Sequence, residues 1–277
     1  MPYFILLFLS FILPTSTYAT DWMATQGDII EVTLSSINSK NAPIKKLTYM
    51  EKEWPFQTYK NGTTHGWIGI DLKQKKGSYP IRWLGKTTTI DHLHINKGEF
   101  RISRITVEKK MASFDAAAIK RIRADQQAIK TTYGIHVDIF PSFTKALMPV
   151  DGIESTPFGA QRYVNGKARS PHSGIDIAAP KGTPVKAPLA GKVLLVEDMF
   201  LNGTLIAIGH GKGLVTVYAH LSKAHVKAGE EVQAGQIIAE VGSTGRSTGA
   251  HLHWGMRFNH ARINPHSLLS LSSDSPE

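Results

Sequence analysis

Three separated segments bring imidazoles and one carboxylate into glycine-rich, β-branched surroundings. They are His172-Ser173-Gly174-Ile175-Asp176, Tyr218-Ala219-His220-Leu221 and His251-Leu252-His253-Trp254. On a strand, residues i and i+2 project from the same face, so His251 and His253 point together into one cleft while Leu252 points into the core. A turn at Gly174 can bring the His172 ring beside the Asp176 carboxylate. Two histidines and one aspartate make three protein ligands and leave a fourth position for water, the pattern of catalytic rather than structural zinc. His220, where the chain turns after Val215–Tyr218, is a spare base, because an unperturbed imidazole titrates near about 6.5. These parts suit metal-assisted hydrolysis of an amide or ester.

Composition narrows the ligand chemistry. The chain has 277 residues and no cysteine, so any metal must be held by nitrogen and oxygen. Hydrophobic residues make up 42% and charged residues 19%, which is enough for a real core. The formal net charge of +10 points to an anionic neighbour such as a lipid surface or a wall polymer. No arginine-rich run interleaved with aromatics occurs, which argues against nucleic acid.

The elements around these residues fall into five stretches. Tyr3 to Leu13 is almost wholly apolar and is followed by small and polar residues to Ala19. It is too short for a spanning helix, which needs about 20 residues. Residues 1–19 are therefore expected to be a secretory signal placing the chain in the periplasm or cell envelope, with membrane anchoring only if it stays uncleaved. Residues 20–110 alternate apolar and polar and carry Asn-Gly and Asn-Lys-Gly turns, which predicts a small, mostly antiparallel β domain. Its His65, Asp71, His92 and His94 read as surface or edge-strand residues. Residues 111–147 open with a helical pattern, Met111 to Thr132, with Ser113 as candidate cap, and end in a connector. From 148 to 268, short β-branched runs separated by glycine turns predict an antiparallel sandwich or barrel-like sheet. His210, His225, His260 and His266 are expected in loops or at the surface. Ser267 to Glu277 is serine-rich and reads as a disordered tail, with 269–277 outside the last domain.

The same residues carry a resemblance. His172-x-x-x-Asp176, Tyr218-x-His220-Leu221 and His251-x-His253 resemble the motifs of the lysostaphin/LytM-type zinc metallopeptidases, peptidase family M23. The flanks agree at Phe158-Gly159-x-x-Arg162, at Gly174 to Val185, and at Gly242-x-Thr244-Gly245-Arg246-Ser247-Thr248-Gly249. The match runs from about Met148 to Pro265, and the preceding β domain and helix resemble the Gram-negative periplasmic members. The resemblance implies a mainly β fold, one zinc ion held by His172, Asp176 and His253, and catalytic roles for His220 and His251. It implies an endopeptidase acting on peptidoglycan peptide cross-links. Ala250 stands where the family usually has proline. The alternative within the resemblance is a non-catalytic, wall-binding activator of amidases. A non-haem iron oxygenase shares the two-histidine, one-carboxylate set, but the additional His220 and His251 fit hydrolysis better. The amino-terminal half is expected to cover part of the cleft and restrain the enzyme.

Overall fold

The computed structural model describes residues 19–35, 43–106, 114–143 and 146–273. The apolar leader read as a signal lies outside them, apart from Ala19. Among the described residues the fold is mainly β with two helices, as the alternating patterns predict.

The carboxy-terminal half is built on one antiparallel sheet of eight strands. Its order is Ile153–Thr156, Gly174–Ala178, His251–Phe258, Leu214–Leu221, Gly203–Gly211, Gly191–Met199 and Glu231–Val232, with Ala261–Ile263 pairing onto His251–Phe258. One face carries Ile175, Ile177, Ile206, Ile208, Tyr218, Leu252 and Trp254, all buried. These pack with Val185, Ile238 and Ala239 from a small sheet of Pro184–Lys186, Ile237–Glu240 and Lys223–Ala224. The sandwich expected from the glycine-punctuated runs is thus present, with a large and a small layer.

The amino-terminal half holds a five-stranded sheet and a three-stranded one. The first runs Asp21–Thr25, Thr88–Asn96, Gly77–Leu84, Lys46–Tyr49 and Lys52–Trp54, with a single parallel pair between its first two strands. The second is Ile29–Leu34, Thr64–Gly69 and Phe56–Thr58. Two features of this half reach beyond residue 110. Strand Ile102–Ile105 pairs in parallel with Gln161–Val164 rather than with its own neighbours. The amino-terminal core also shares one apolar cluster with Leu214, Met256, Phe258, Ile263 and Leu268. Trp54 packs edge-on to Phe258 at 5.1 Å between centroids. The Asp71 carboxylate accepts from the Arg262 backbone N–H and Nε, each at 2.9 Å. Burial alone would raise the Asp71 pKa, but the Arg262 contacts outweigh it and hold the group below the usual range. Cutting the chain near 148 would bare Met256, Phe258 and Ile263 to water, so a carboxy-terminal fragment is a poor test of what the amino-terminal half does.

Helix α1, Ala116–Thr132, is capped by Asp115, whose Oδ1 accepts from Ala118 N at 2.7 Å. The cap is therefore Asp115 and not Ser113, which lies outside the described residues. A carboxylate both accepts the orphan N–H and complements the positive end of the helix. Helix α2, Pro265–Ser273, corrects the reading of a disordered tail over 267–273; residues 274–277 lie outside the described ones. Serine is a weak helix former, but burial of Leu268 and the Ser267 Oγ contacts with Ile29 N (2.5 Å) and O (3.2 Å) supply the missing stabilisation, and Pro265 starts the first turn.

His210 is a second correction: it is fully buried, not a surface residue. Its Nδ1 lies 2.9 Å from Ala190 O, and a carbonyl only accepts, so Nδ1 carries the proton. Nε2 then accepts from the Thr216 hydroxyl at 2.7 Å, and Thr216 Oγ1 lies 2.9 Å from the Tyr218 hydroxyl. Burial lowers the His210 pKa to about 4. The unfolded chain therefore takes up a proton that the native chain refuses. Stability from this site is complete above about 6.5, the ordinary imidazole value, and is lost as pH falls towards the folded value. The full loss is about 3 kcal/mol. Urea midpoints at pH 7.5 and 4.5 are expected to fall further for the wild-type chain than for His210→Gln. Equal falls would contradict this.

Candidate metal centre and flanking histidines

Strand register assembles the site. In the pairing of Gly174–Ala178 with His251–Phe258, Asp176 faces His253 and Ala178 faces His251. In the next pair Ala219 faces His253, which brings His220 to the end of the same sheet edge. Directly opposed residues share a face, so Asp176, His251 and His253 project together, opposite buried Leu252 and Trp254.

Three donor atoms converge. His172 Nε2 lies 3.0 Å from Asp176 Oδ1 and 3.0 Å from His253 Nδ1, and His253 Nδ1 lies 2.8 Å from Asp176 Oδ1. Donors about 2.0–2.2 Å from a tetrahedral zinc stand roughly 3.3 Å apart, so this triangle is close to the size one ion needs. Among the described residues this is the one group of three His, Asp or Glu side chains arranged to hold a metal. Orientation is fixed from behind. His172 Nδ1 donates to Pro157 O at 3.1 Å, which commits its proton and leaves the Nε2 lone pair free to bind a metal. Burial would raise the Asp176 pKa, but the adjoining His172 and His253 imidazoles outweigh it and hold the carboxylate below its usual range. Two neutral imidazoles and a carboxylate in a cysteine-free chain fit one zinc ion.

Two further histidines flank the triangle. His220 and His251 lie with ring centroids 4.6 Å apart, and His220 is 6.4 Å from His253. His220 Nδ1 donates to Thr244 O at 2.8 Å and His251 Nδ1 to Gly249 O at 2.9 Å, so in both rings Nε2 is the atom without a proton. Burial first, then the neighbouring His251 and His253, pull the His220 pKa down to about 4. His220 also sits at φ +62, a left-handed conformation unusual for a side-chain-bearing residue. Its N–H is held by Asn202 O at 2.8 Å, which helps keep the turn in place.

Gly174 explains why this strand begins with glycine. A Cβ there would lie 2.4 Å from Trp254 O and 2.9 Å from His253 Cε1. Gly174→Ala is expected to pry the ligand strands apart and weaken zinc binding about ten- to a hundredfold, the usual effect of disturbing ligand support. Competition with a chelator measures this, and unchanged affinity would contradict it.

Several supporting residues escaped the sequence reading. Thr244 and Gly249 act through backbone carbonyls, which residue identity does not announce. Arg257 was missed as well, although two-residue alternation from His251 through His253 and Gly255 leads to it. Its guanidinium donates to Ser173 O and Ser173 Oγ, each at 3.3 Å, and lies 5.3 Å from the Tyr133 ring centroid. Tyr133 closes helix α1. Ala128, Ile129 and Tyr133 pack on Leu205, Ala207, Val215 and Val217, and the register puts Val215 and Val217 on the histidine-bearing face. Helix α1 thus lies on the same sheet face as the site. The β-sheets of the amino-terminal half instead meet the Phe258 end of that strand. The other histidine pairs are occupied elsewhere: His65 with Glu31 at 2.6 Å and His94 with Asp21 at 3.1 Å.

The fold and site define an antiparallel β-sheet metalloprotein with a two-histidine, one-carboxylate centre. The family model for Peptidase family M23 matches residues 170–265. The DD-carboxypeptidase/endopeptidase Mpg of Neisseria meningitidis serogroup B is 42% identical over 123 residues, covering 44% of this chain and 28% of that protein. The peptidoglycan DD-endopeptidase ShyA of Vibrio cholerae serotype O1 is 44% identical over 88 residues, covering 32% of this chain and 20% of its own. A solved structure from Pseudomonas aeruginosa assigned to peptidase M23 is 29% identical, with a TM-score of 0.70, and covers 89% of this chain and 95% of that one. Residues 170–265 of the chain thus carry a peptidase family M23 domain. The chain spans under a third of the length of these two curated relatives.

Proposed function

We propose that the protein is a zinc-dependent endopeptidase that hydrolyses peptide cross-links of peptidoglycan in the cell envelope. The observation that carries this reading is the convergence of His172 Nε2, Asp176 Oδ1 and His253 Nδ1 beside two further imidazoles with free Nε2 atoms. Relatives named as peptidoglycan endopeptidases support the substrate class. Zinc held by these three side chains supplies Lewis acidity and acidifies water. The protein's own part is to orient and to move protons. His220 and His251 are the proton carriers: hydrolysis adds water across the C–N bond, and each Nε2 can accept a proton and return it to the departing amine. Protonated, the same atoms donate to negative charge on the carbonyl oxygen. All five side chains are present, which argues against a non-catalytic activator.

We further place the chain in the periplasm or envelope through residues 1–19, with 20–110, 111–147 and 148–268 as its successive parts. Helix α1 on the histidine-bearing face supports a restraining role for the segment before residue 148. The test is direct. Purified wall incubated with the zinc-loaded chain should yield shortened, uncrosslinked muropeptides, and chelation should stop their release. Release that continues undiminished without metal would overturn the reading.

A further inference from the structure

Between Ala160 and His172 the chain carries Arg162, Lys167 and Arg169 and no acidic residue, and all three cations are exposed. This loop is anchored to the metal centre: His172 N donates to Ala160 O at 3.0 Å and Gly159 N to His172 O at 2.8 Å. It is also anchored to the amino-terminal half. Strand Ile102–Ile105 pairs with Gln161–Val164, Arg104 lies 5.0 Å over the Tyr163 ring, and Phe100 packs so tightly on Gly159 that a Cβ there would come within 2.1 Å of the ring. On the other side of the site, Arg246 belongs to the loop whose Thr244 and Gly249 carbonyls hold His220 and His251. Partial burial, and then the charges of Arg162 and Arg169, pull the Arg246 pKa below its usual range. Arg169 N donates to Arg162 O at 2.9 Å, so these two cations stand side by side on their hairpin, and that hairpin and the Arg246 loop border the same metal centre. Among the described residues, the ion pairs of lysine and arginine involve Lys46, Arg121 and Arg262 and none of these three arginines. Like charges gathered without counter-charge repel each other, and an anion bound between them relieves that cost.

We propose that Arg162, Arg169 and Arg246 form a cationic shelf beside the metal centre that grips a free carboxylate of an acidic peptide substrate. This rests on the endopeptidase reading and names what that site recognises. A guanidinium matches a carboxylate with two parallel N–H donors, and such charged hydrogen bonds are the strong ones. Because the loop base is hydrogen-bonded to His172, a carboxylate held on the shelf fixes the peptide relative to the metal ligands. Arg104, stacked on Tyr163, stiffens the shelf from behind.

The test uses the full zinc-loaded chain and one cross-linked stem peptide in two forms, with free carboxylates and with the carboxylates amidated. Binding and cleavage are measured separately at low salt. The wild-type chain is expected to bind the acidic form about tenfold or more tightly than the amidated form. Arg246→Gln and the pair Arg162→Gln/Arg169→Gln should erase that preference, with metal content and Tm unchanged. Equal affinity for the two forms, or an equal loss on both in the variants, would overturn the shelf. So would inorganic phosphate competing as well as the acidic peptide, since that assigns the arginines to a phosphate-bearing polymer. Arginine-dependent binding without cleavage would sink the endopeptidase reading and leave the shelf standing; cleavage blind to the carboxylates would do the reverse.

Discussion

Asp176→Asn is expected to leave the chain folded, strip it of zinc and lower wall hydrolysis by a thousandfold or more. The substitution keeps the shape of the side chain and removes its charge. In the native site one oxygen, Oδ1, stands 3.0 Å from His172 Nε2 and 2.8 Å from His253 Nδ1, and it is the only anion in the donor triangle. Loss of Lewis-acid chemistry costs several kcal/mol, on the order of a thousandfold in rate. Folding should survive, because Asp176 sits at the open end of the face while Ile175 and Ile177 behind it keep their burial. Metal analysis and circular dichroism of the same sample separate the two effects. A variant that holds zinc and cuts wall at a normal rate would show that the carboxylate is not a ligand.

His251→Ala should behave differently: zinc stays and the chemistry slows by about a hundred- to ten-thousandfold, the usual span for a lost proton carrier. His251 shares a face with His253 but lies outside the triangle, with Nδ1 tied to Gly249 O at 2.9 Å and its ring 4.6 Å from His220. His220→Ala is expected to fall in the same range with zinc again retained. The informative comparison is the double variant. If the two rings serve one proton path, the double loss should be close to either single loss, because members of one unit are not additive. Loss of zinc in His251→Ala would move this residue into the ligand set.

Much of the site was legible because its geometry is local and periodic. Two histidines two residues apart on a strand must share a face, and Gly174 between His172 and Asp176 is what close pairing with the Trp254 backbone demands. The glycine turns spaced the strands correctly. What stayed hidden is non-local or carried by backbone atoms. Nothing in the identities of Met256, Phe258 and Leu268 says that they pack with Trp67 and Trp83 from the other half. Residues 102–105 fell within the expected first β domain, yet their partner strand Gln161–Val164 follows Ala160, whose carbonyl accepts from His172 N at 3.0 Å. His210 looked like a loop histidine because its burial depends on Thr216 and Ala190, which become its neighbours only after the sheet forms. The serine-rich end hid a helix because leucines at 268, 269 and 271 find a core that serine content does not predict.

The most direct measurement is the zinc content of the purified full chain set beside that of His172→Ala, with muropeptide release recorded on both. One zinc per native chain, none in the variant and cutting only by the former is the predicted result. A variant that releases shortened muropeptides at the native rate while holding no metal would contradict the account at its centre.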